Sequence, residues 1–193
     1  MAKLYFRYGT VGSAKTLNLL AVAHNYQQQN KKVLLIKPAL DDRFGKQMVH
    51  SRAGLEKPAD LLVGEDTDLD LDAMKGVDCV LVDEAQFLTP SVVDQLRRLS
   101  CERKVPVICY GLRTDFRAGL FPGARRLMEV ADRIEEVKTT CFYCNSKALY
   151  HLKLADGVPT LAGPTIDLGT EEKYLPTCAA CYHGKLTEGQ AGD

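Results

Sequence analysis

Long apolar runs are missing from this chain. No stretch of about 18 consecutive apolar residues occurs, so no membrane-spanning helix is expected. The start, "MAKLYFRYG", lacks both a long apolar core and a small-residue cleavage site, so no secretory signal is expected, and the expected location is cytoplasmic. Net charge is missing too. With 25 Lys+Arg against 25 Asp+Glu, no global field draws the protein to nucleic acid or to an anionic membrane, and neither is expected as a partner. There is no internal repeat and no low-complexity tract. What remains is a chain of 193 residues, 46% hydrophobic, able to bury one good core with a small satellite unit attached.

Seven cysteines in a cytosolic chain point to metal binding, burial or catalysis rather than to disulfides. Cys79 and Cys109 lie inside the apolar runs "DCVLVD" and "VPVICYG", where a free thiol behaves as a small hydrophobe. The other four cysteines of interest come in pairs, after a change of texture near residue 140.

Before that change, strands alternate with helices. "KLYFRY", "KVLLIKP", "DCVLVD", "VPVICYG" and "RIEEVK" read as strands. Leu19, Val22, Ala23 and Tyr26 recur at helical spacing, Thr89 and Pro90 suit the start of a helix over "TPSVVDQLRRLS", and "ARRLMEVA" presents a third apolar stripe. The alternation predicts an α/β domain with a mainly parallel sheet covered on both faces, spanning residues 1–140. Residues 141–185 form the expected zinc-binding unit, and 186–193, poor in apolar residues, an expected disordered tail.

Between the first strand and first helix stands "YGTVGSAKTLNLL". It matches G-x-x-x-x-G-K-[ST] at Gly9, Lys15 and Thr16, with Ala14 where glycine is usual. A turn there aims backbone N–H groups and the positive end of a helix dipole at one point, which suits a phosphate. Lys15 would reach the terminal phosphates and the Thr16 hydroxyl would bind Mg²⁺. Alanine at a helix start is expected to be easier than glycine by about 0.5–1 kcal/mol, leaving one methyl crowding a phosphate oxygen. The alternative is an ordinary strand-to-helix turn with a chance Lys-Thr. The third strand bears on this, because "CVLVDEAQF" ends it with Asp83 and Glu84, at the crevice where open α/β sheets bind ligands. Asp83 is the candidate on the metal side, and Glu84 the candidate to take a proton from water or a substrate hydroxyl. Helix capping is the alternative use of such a pair.

"CFYC" and "CAAC" offer Cys141, Cys144, Cys178 and Cys181, with 33 residues between the pairs. Four thiolates in two C-x₂-C knuckles make a closed structural Zn²⁺ site, and the long intervening segment should loop out as a lasso. His183 and His151 are weaker candidates, expected at the surface or behind the ligands.

In this order, the strand and loop, "DEAQF", "YGLRTDF", the two cysteine pairs and "GTEEKY" resemble the cytosolic, type II thymidine kinases, from Leu4 to about Tyr182. The resemblance implies a RecA-like P-loop domain for ATP and a zinc-ribbon-like domain whose lasso closes over thymidine. It implies transfer of the γ-phosphoryl group to the 5′-hydroxyl with Mg²⁺, feedback inhibition by dTTP, and a homotetramer. Carried over by position, Glu84 is the base, and Gly9, Thr10, Val11, Gly12, Ser13, Ala14, Lys15 and Thr16 hold ATP with Asp83 and Gln86 beside it. Asp41 and Arg43 in "DDRFG" help position phosphates or substrate, the alternative being a solvated turn. Phe87 and Phe116 wall the thymine pocket, unless they are plain core, and Tyr174 lies by the base. The sequence departs from the family at Ala14, at Val11 and Gly12, and at Asp167 and Thr170 in "TIDLGT". The rival reading is a P-loop ATPase acting on nucleic acid with the zinc unit as its reader, since "DEAQ" also occurs in helicase-type ATPases; a neutral chain this short has little room for the further motifs those motors use.

Overall fold

The computed structural model describes residues 2–41, 47–166 and 173–190. Arg43, Asp167, Thr170 and residues 191–193 lie outside the described residues.

Six strands form one parallel sheet: β1 (Leu4–Tyr8), β2 (Val33–Pro38), β5 (Leu61–Val63), β6 (Cys79–Val82), β7 (Val107–Gly111) and β8 (Arg133–Glu136), in the order β5-β2-β6-β7-β1-β8. Burial explains why their sequences read as unbroken apolar runs. In β6, Val80 and Val82 pack on α2 (Pro90–Glu102) and α3 (Pro122–Val130), beside Val93, Leu96 and Leu127. Cys79 and Leu81 turn to the opposite face, beside Leu19, Leu20 and Ala23 of α1 (Lys15–Gln28). β7 divides its side chains in the same way, Val107 and Cys109 to one face and Ile108 and Tyr110 to the other. Period-2 alternation thus survives, but both faces are covered, so both sets are apolar. Cys79 and Cys109 are core thiols, and burial pushes the Cys79 thiol up to about 11.

The start of α2 is built as its sequence foretold. Thr89 Oγ accepts a hydrogen bond from Val92 N at 3.4 Å, and Pro90 sits in the first turn, where its missing N–H costs nothing. Two short features were not foreseen. β5 has three residues, and β3 (Met48–His50) with β4 (Glu56–Pro58) forms a separate antiparallel hairpin.

Beyond residue 140 a second sheet, order β10-β9-β11, joins β9 (Tyr150–Ala155), β10 (Val158–Pro159) and β11 (Tyr174–Thr177) in antiparallel pairs. α4 (Ala179–Gln190) packs on it through Tyr182 and Leu186 against Leu152. The expectation of a structureless tail from residue 186 is therefore corrected for residues 186–190. One apolar side chain, Leu186, falls one turn after Tyr182, is nearly buried, and carries the helix past the cysteines.

Ala14 also overturns an expectation. It is not helical but precedes α1 with φ 61° and ψ 27°, the left-handed region, while its carbonyl accepts the helix's first hydrogen bond from Asn18 N at 3.0 Å. The turn from strand to helix needs that conformation, which glycine adopts freely and alanine only with strain of about 1–2 kcal/mol. Glycine is thus the easier residue here, the reverse of the expectation from helix propensity. After offsetting the larger unfolded-state entropy of glycine, Ala14→Gly should raise the unfolding free energy in urea by about 0.5–1 kcal/mol. A loss of stability would show the loop to be relaxed with alanine.

Candidate active site

All the parallel strands point their carboxyl ends to one side, and the loops that leave β1, β2, β6 and β7 surround a cavity of about 360 Å³. Val11 to Thr16, Asp41, Asp83, Glu84, Gln86, Phe87, Phe116 and Tyr174 all line it. Residues chosen from five separate stretches of sequence therefore meet in one place. Gly9 stands just behind, where a Cβ would lie 2.3 Å from Ser13 Oγ and 2.5 Å from the Val137 carbonyl oxygen, so only glycine lets the loop close this tightly. Thr10 is buried beside it.

Lys15 folds back over its own loop, donating from Nζ to the Thr10 carbonyl at 2.7 Å and to Ser13 Oγ at 3.3 Å. Such contacts hold an ammonium over the loop at the N-terminal end of α1, where the helix dipole also favours an anion such as a phosphate. The Thr16 hydroxyl lies 3.2 Å from both carboxylate oxygens of Asp83. Asp83 is buried at the end of β6, and its pKa is pushed up to about 7, first by desolvation and then by the neighbouring Glu84 carboxylate; Lys15 and the Thr16 hydroxyl pull the other way. A hydroxyl and a carboxylate at this separation are the hard oxygen donors that Mg²⁺ takes.

Glu84 has φ 49° and ψ 39°, a left-handed conformation that costs a non-glycine residue of order 1–3 kcal/mol and is tolerated where function needs it. Gln86 holds it there. Gln86 Nε2 donates to Glu84 Oε2 at 2.5 Å, while its Oε1 accepts from Leu112 N at 2.9 Å. Both ends of this buried amide are thus engaged, and a Cβ on Gly111 would come within 2.6 Å of Gln86 Oε1. Gln86, foreseen beside ATP, lines the cavity itself and also orients Glu84.

Asp41 is buried with Lys37, Nζ to Oδ2 3.4 Å, and Lys37 also donates to the Met48 carbonyl at 2.8 Å. Phe116 is buried with its ring centroid 6.2 Å from that of Tyr174, and Phe87 packs edge-on to Phe121 at 5.7 Å. Phe87 and Phe116 are therefore core and cavity wall at once.

Some lining residues had escaped notice. His151 was expected at the surface or behind the zinc ligands; it is instead buried on β9, where Nδ1 accepts from Val11 N at 3.4 Å. Burial, then Lys15 and Arg113, push its pKa down to about 3, so the ring is neutral. Period-2 patterning within "ALYHLKL" was the one available signal. Ser51 and Arg52 enter from the β3–β4 hairpin, which has no signature in so short a stretch.

The sulfurs of Cys141, Cys144, Cys178 and Cys181 lie within 4.8 Å of one another, and Cys144 is 3.7 Å from both Cys178 and Cys181. A tetrahedral site with Zn–S of about 2.3 Å sets its sulfurs about 3.8 Å apart, so the donor set fits zinc. The knuckles are braced by backbone bonds, Cys141 N to the Ser146 carbonyl at 2.8 Å and Phe142 N to the Pro176 carbonyl at 2.8 Å. His183 is exposed, outside this cluster.

Two outcomes follow from these environments. Asp83 has a folded pKa above that of an unfolded carboxyl, so its contribution to stability is full below about pH 4 and is lost as pH rises through about 7. Asp83→Asn cannot ionise, and its melting temperature should gain on wild type by on the order of 5 °C between pH 4 and 8 in the ligand-free protein; a constant gap would refute the buried charge. Elemental analysis should find about one zinc per chain, and less than about a tenth of that in Cys178→Ser.

The thymidine kinase family model matches residues 2–182. The chain is 44% identical over 186 residues to the thymidine kinase of Chromobacterium violaceum, covering 95% of this chain and 99% of that one. It is 43% identical over 186 residues to the thymidine kinase of Streptococcus gordonii, covering 94% and 96%. Among solved structures, the Pif1 helicase of Candida albicans is similar over 70% of this chain and 36% of that one, with 8% identity and a TM-score of 0.43, too slight a likeness to bear on function. With the family's model spanning nearly the whole length and relatives this similar end to end, the chain belongs to the thymidine kinase family.

Proposed function

We propose that the protein transfers the γ-phosphoryl group of ATP to the 5′-hydroxyl of thymidine, giving dTMP and ADP. The observation that carries this reading is the position of Glu84. It lines one cavity together with the Lys15 loop, Phe116 and Tyr174, so a nucleoside held there has its hydroxyl near both a carboxylate and the phosphates. Residues Gly9 to Thr16 bind the ATP phosphates, with backbone N–H groups and Lys15 neutralising charge. Thr16 and Asp83 would hold Mg²⁺, which when bound would offset the phosphate charge. Glu84, oriented by Gln86, takes the 5′-hydroxyl proton as that oxygen bonds to phosphorus and the bond to the ADP oxygen breaks. Phe87, Phe116 and Tyr174 wall the base. Asp41 and, from the resemblance, Arg43 help to position the reacting groups.

The same reading assigns ATP binding to residues 1–140 and a zinc-anchored cover to residues 141–185. Since dTTP carries the product's base on a triphosphate, it can occupy both halves of such a site and inhibit. A homotetramer and a cytoplasmic location complete the proposal; no helix among the described residues is long and apolar enough to cross a membrane.

A nucleoside panel with purified protein should give ATP-dependent phosphorylation of thymidine, and Glu84→Gln should lower kcat by about 10²–10⁴ while leaving ATP binding intact. DNA-stimulated ATP hydrolysis without any nucleoside product would overturn the proposal in favour of a nucleic-acid motor.

A further inference from the structure

Residues 160–166 leave β10 and run along the rim of the cavity, where Thr165 and Ile166 face it together with Phe116 and Tyr174. They belong to no helix or strand, and Leu161 and Ile166 are 40% and 41% exposed. Such a segment needs an external tie to stay in place.

That tie comes from Arg117, on the turn after β7. The turn is braced from within. Thr114 and Leu120 form an isolated bridge, Asp115 N donates to the Gly119 carbonyl at 2.8 Å, and Asp115 Oδ1 accepts from Arg117 N at 2.9 Å and Gly119 N at 2.8 Å. From this support the guanidinium spreads over three acceptors on the rim segment. Nε donates to the Leu161 carbonyl at 3.0 Å, Nη1 to Thr165 Oγ at 3.2 Å, and Nη2 to the Gly163 carbonyl. The group also lies over the Phe116 ring, 4.7 Å from its centroid. Gly163 has φ +97°, and a Cβ on it would meet Lys153 Nζ at 2.8 Å, so the crest that offers its carbonyl to Arg117 is a glycine for two reasons.

We infer that Arg117 is a positioning residue, a latch that holds residues 160–166 across the cavity rim and so retains the nucleoside base against Phe116. The inference rests on the proposed function for the identity of that substrate. A planar fork of N–H donors fits three acceptors spread over five residues; a lysine ammonium in the same place keeps the charge but loses the span.

The test compares wild type, Arg117→Ala and Arg117→Lys. Losing hydrogen bonds from a charged donor should raise KM for thymidine about tenfold in Arg117→Ala, with kcat within about threefold and KM for ATP unchanged. Arg117→Lys should recover little of that loss. Thermolysin, which cuts before large apolar residues, should cleave the ligand-free Ala variant before Leu161 and Ile166 several times faster than wild type. Melting temperatures should agree within about 2 °C, because the side chain is exposed. Equal cutting rates, or a Lys variant with the wild-type KM, would overturn the latch. A wild type that does not phosphorylate thymidine, beside an Ala variant that is cut faster, would overturn the proposed function and leave the latch standing.

Discussion

A carboxylate buried at the end of a central strand is the constraint around which this protein is arranged. Asp83 sits where β6 leaves the sheet, shielded from water, with another acid next to it, and its ionised form is costly. Its compensation is local: the Thr16 hydroxyl touches both oxygens, and Lys15 stands close enough to act electrostatically. Both partners open α1, directly after the loop that follows β1. That loop is brought beside Asp83 by β7, which pairs with β1 on one side and β6 on the other. The sheet order is thus what sets the Asp83 carboxylate against the Thr16 hydroxyl, a pair of hard oxygen donors of the kind Mg²⁺ takes. Thymidine kinases need such a site for phosphoryl transfer, where charge neutralisation and positioning do most of the catalytic work.

The same economy shows in the backbone. Ala14 and Glu84 are both left-handed and neither is glycine. At Glu84 the strained residue faces the cavity and is held by Gln86, itself packed against Gly111. At Ala14 no function for the methyl group is evident in the structure. The two residues differ in what the strain obtains: in one it aims a carboxylate, in the other it only permits a turn.

How much of this was legible in sequence depended on how far apart the cooperating atoms lie. Five of the six strands of the large sheet and all three of its helices could be read, because apolar spacing and the Thr89-Pro90 start are local signals. The loop, Asp83, Glu84 and the four cysteines were readable as motifs, since their chemistry demands fixed spacing. Ala14 was misjudged because helix propensity speaks for residues inside a helix, whereas the residue stands before it in another conformation. His151 was misplaced because its neighbour, Val11, is distant in sequence. Leu186 shows the smaller failure, that one apolar residue in a polar stretch suffices for another turn of helix when a Tyr182 precedes it on the same face.

The small antiparallel sheet has its own part in this arrangement. Its strand β9 sends His151 to the loop between β1 and α1, its α4 sends the Tyr182 hydroxyl to the Phe116 carbonyl at 2.5 Å, and its β11 sets Tyr174 beside the Phe116 ring. A neutral imidazole accepting the Val11 N–H ties the loop to β9 without adding charge. Three contacts from three elements, all anchored near the four cysteines, fix the walls on which a base would lie. The zinc-fitting cluster offers four thiolates, a closed set that leaves no open position for chemistry, and it ties the Cys141–Cys144 knuckle to the end of β11 and the start of α4. Loosening that tie would therefore act first on the wall formed by Phe116 and Tyr174, while the loop between β1 and α1 is held by its place beside the parallel sheet.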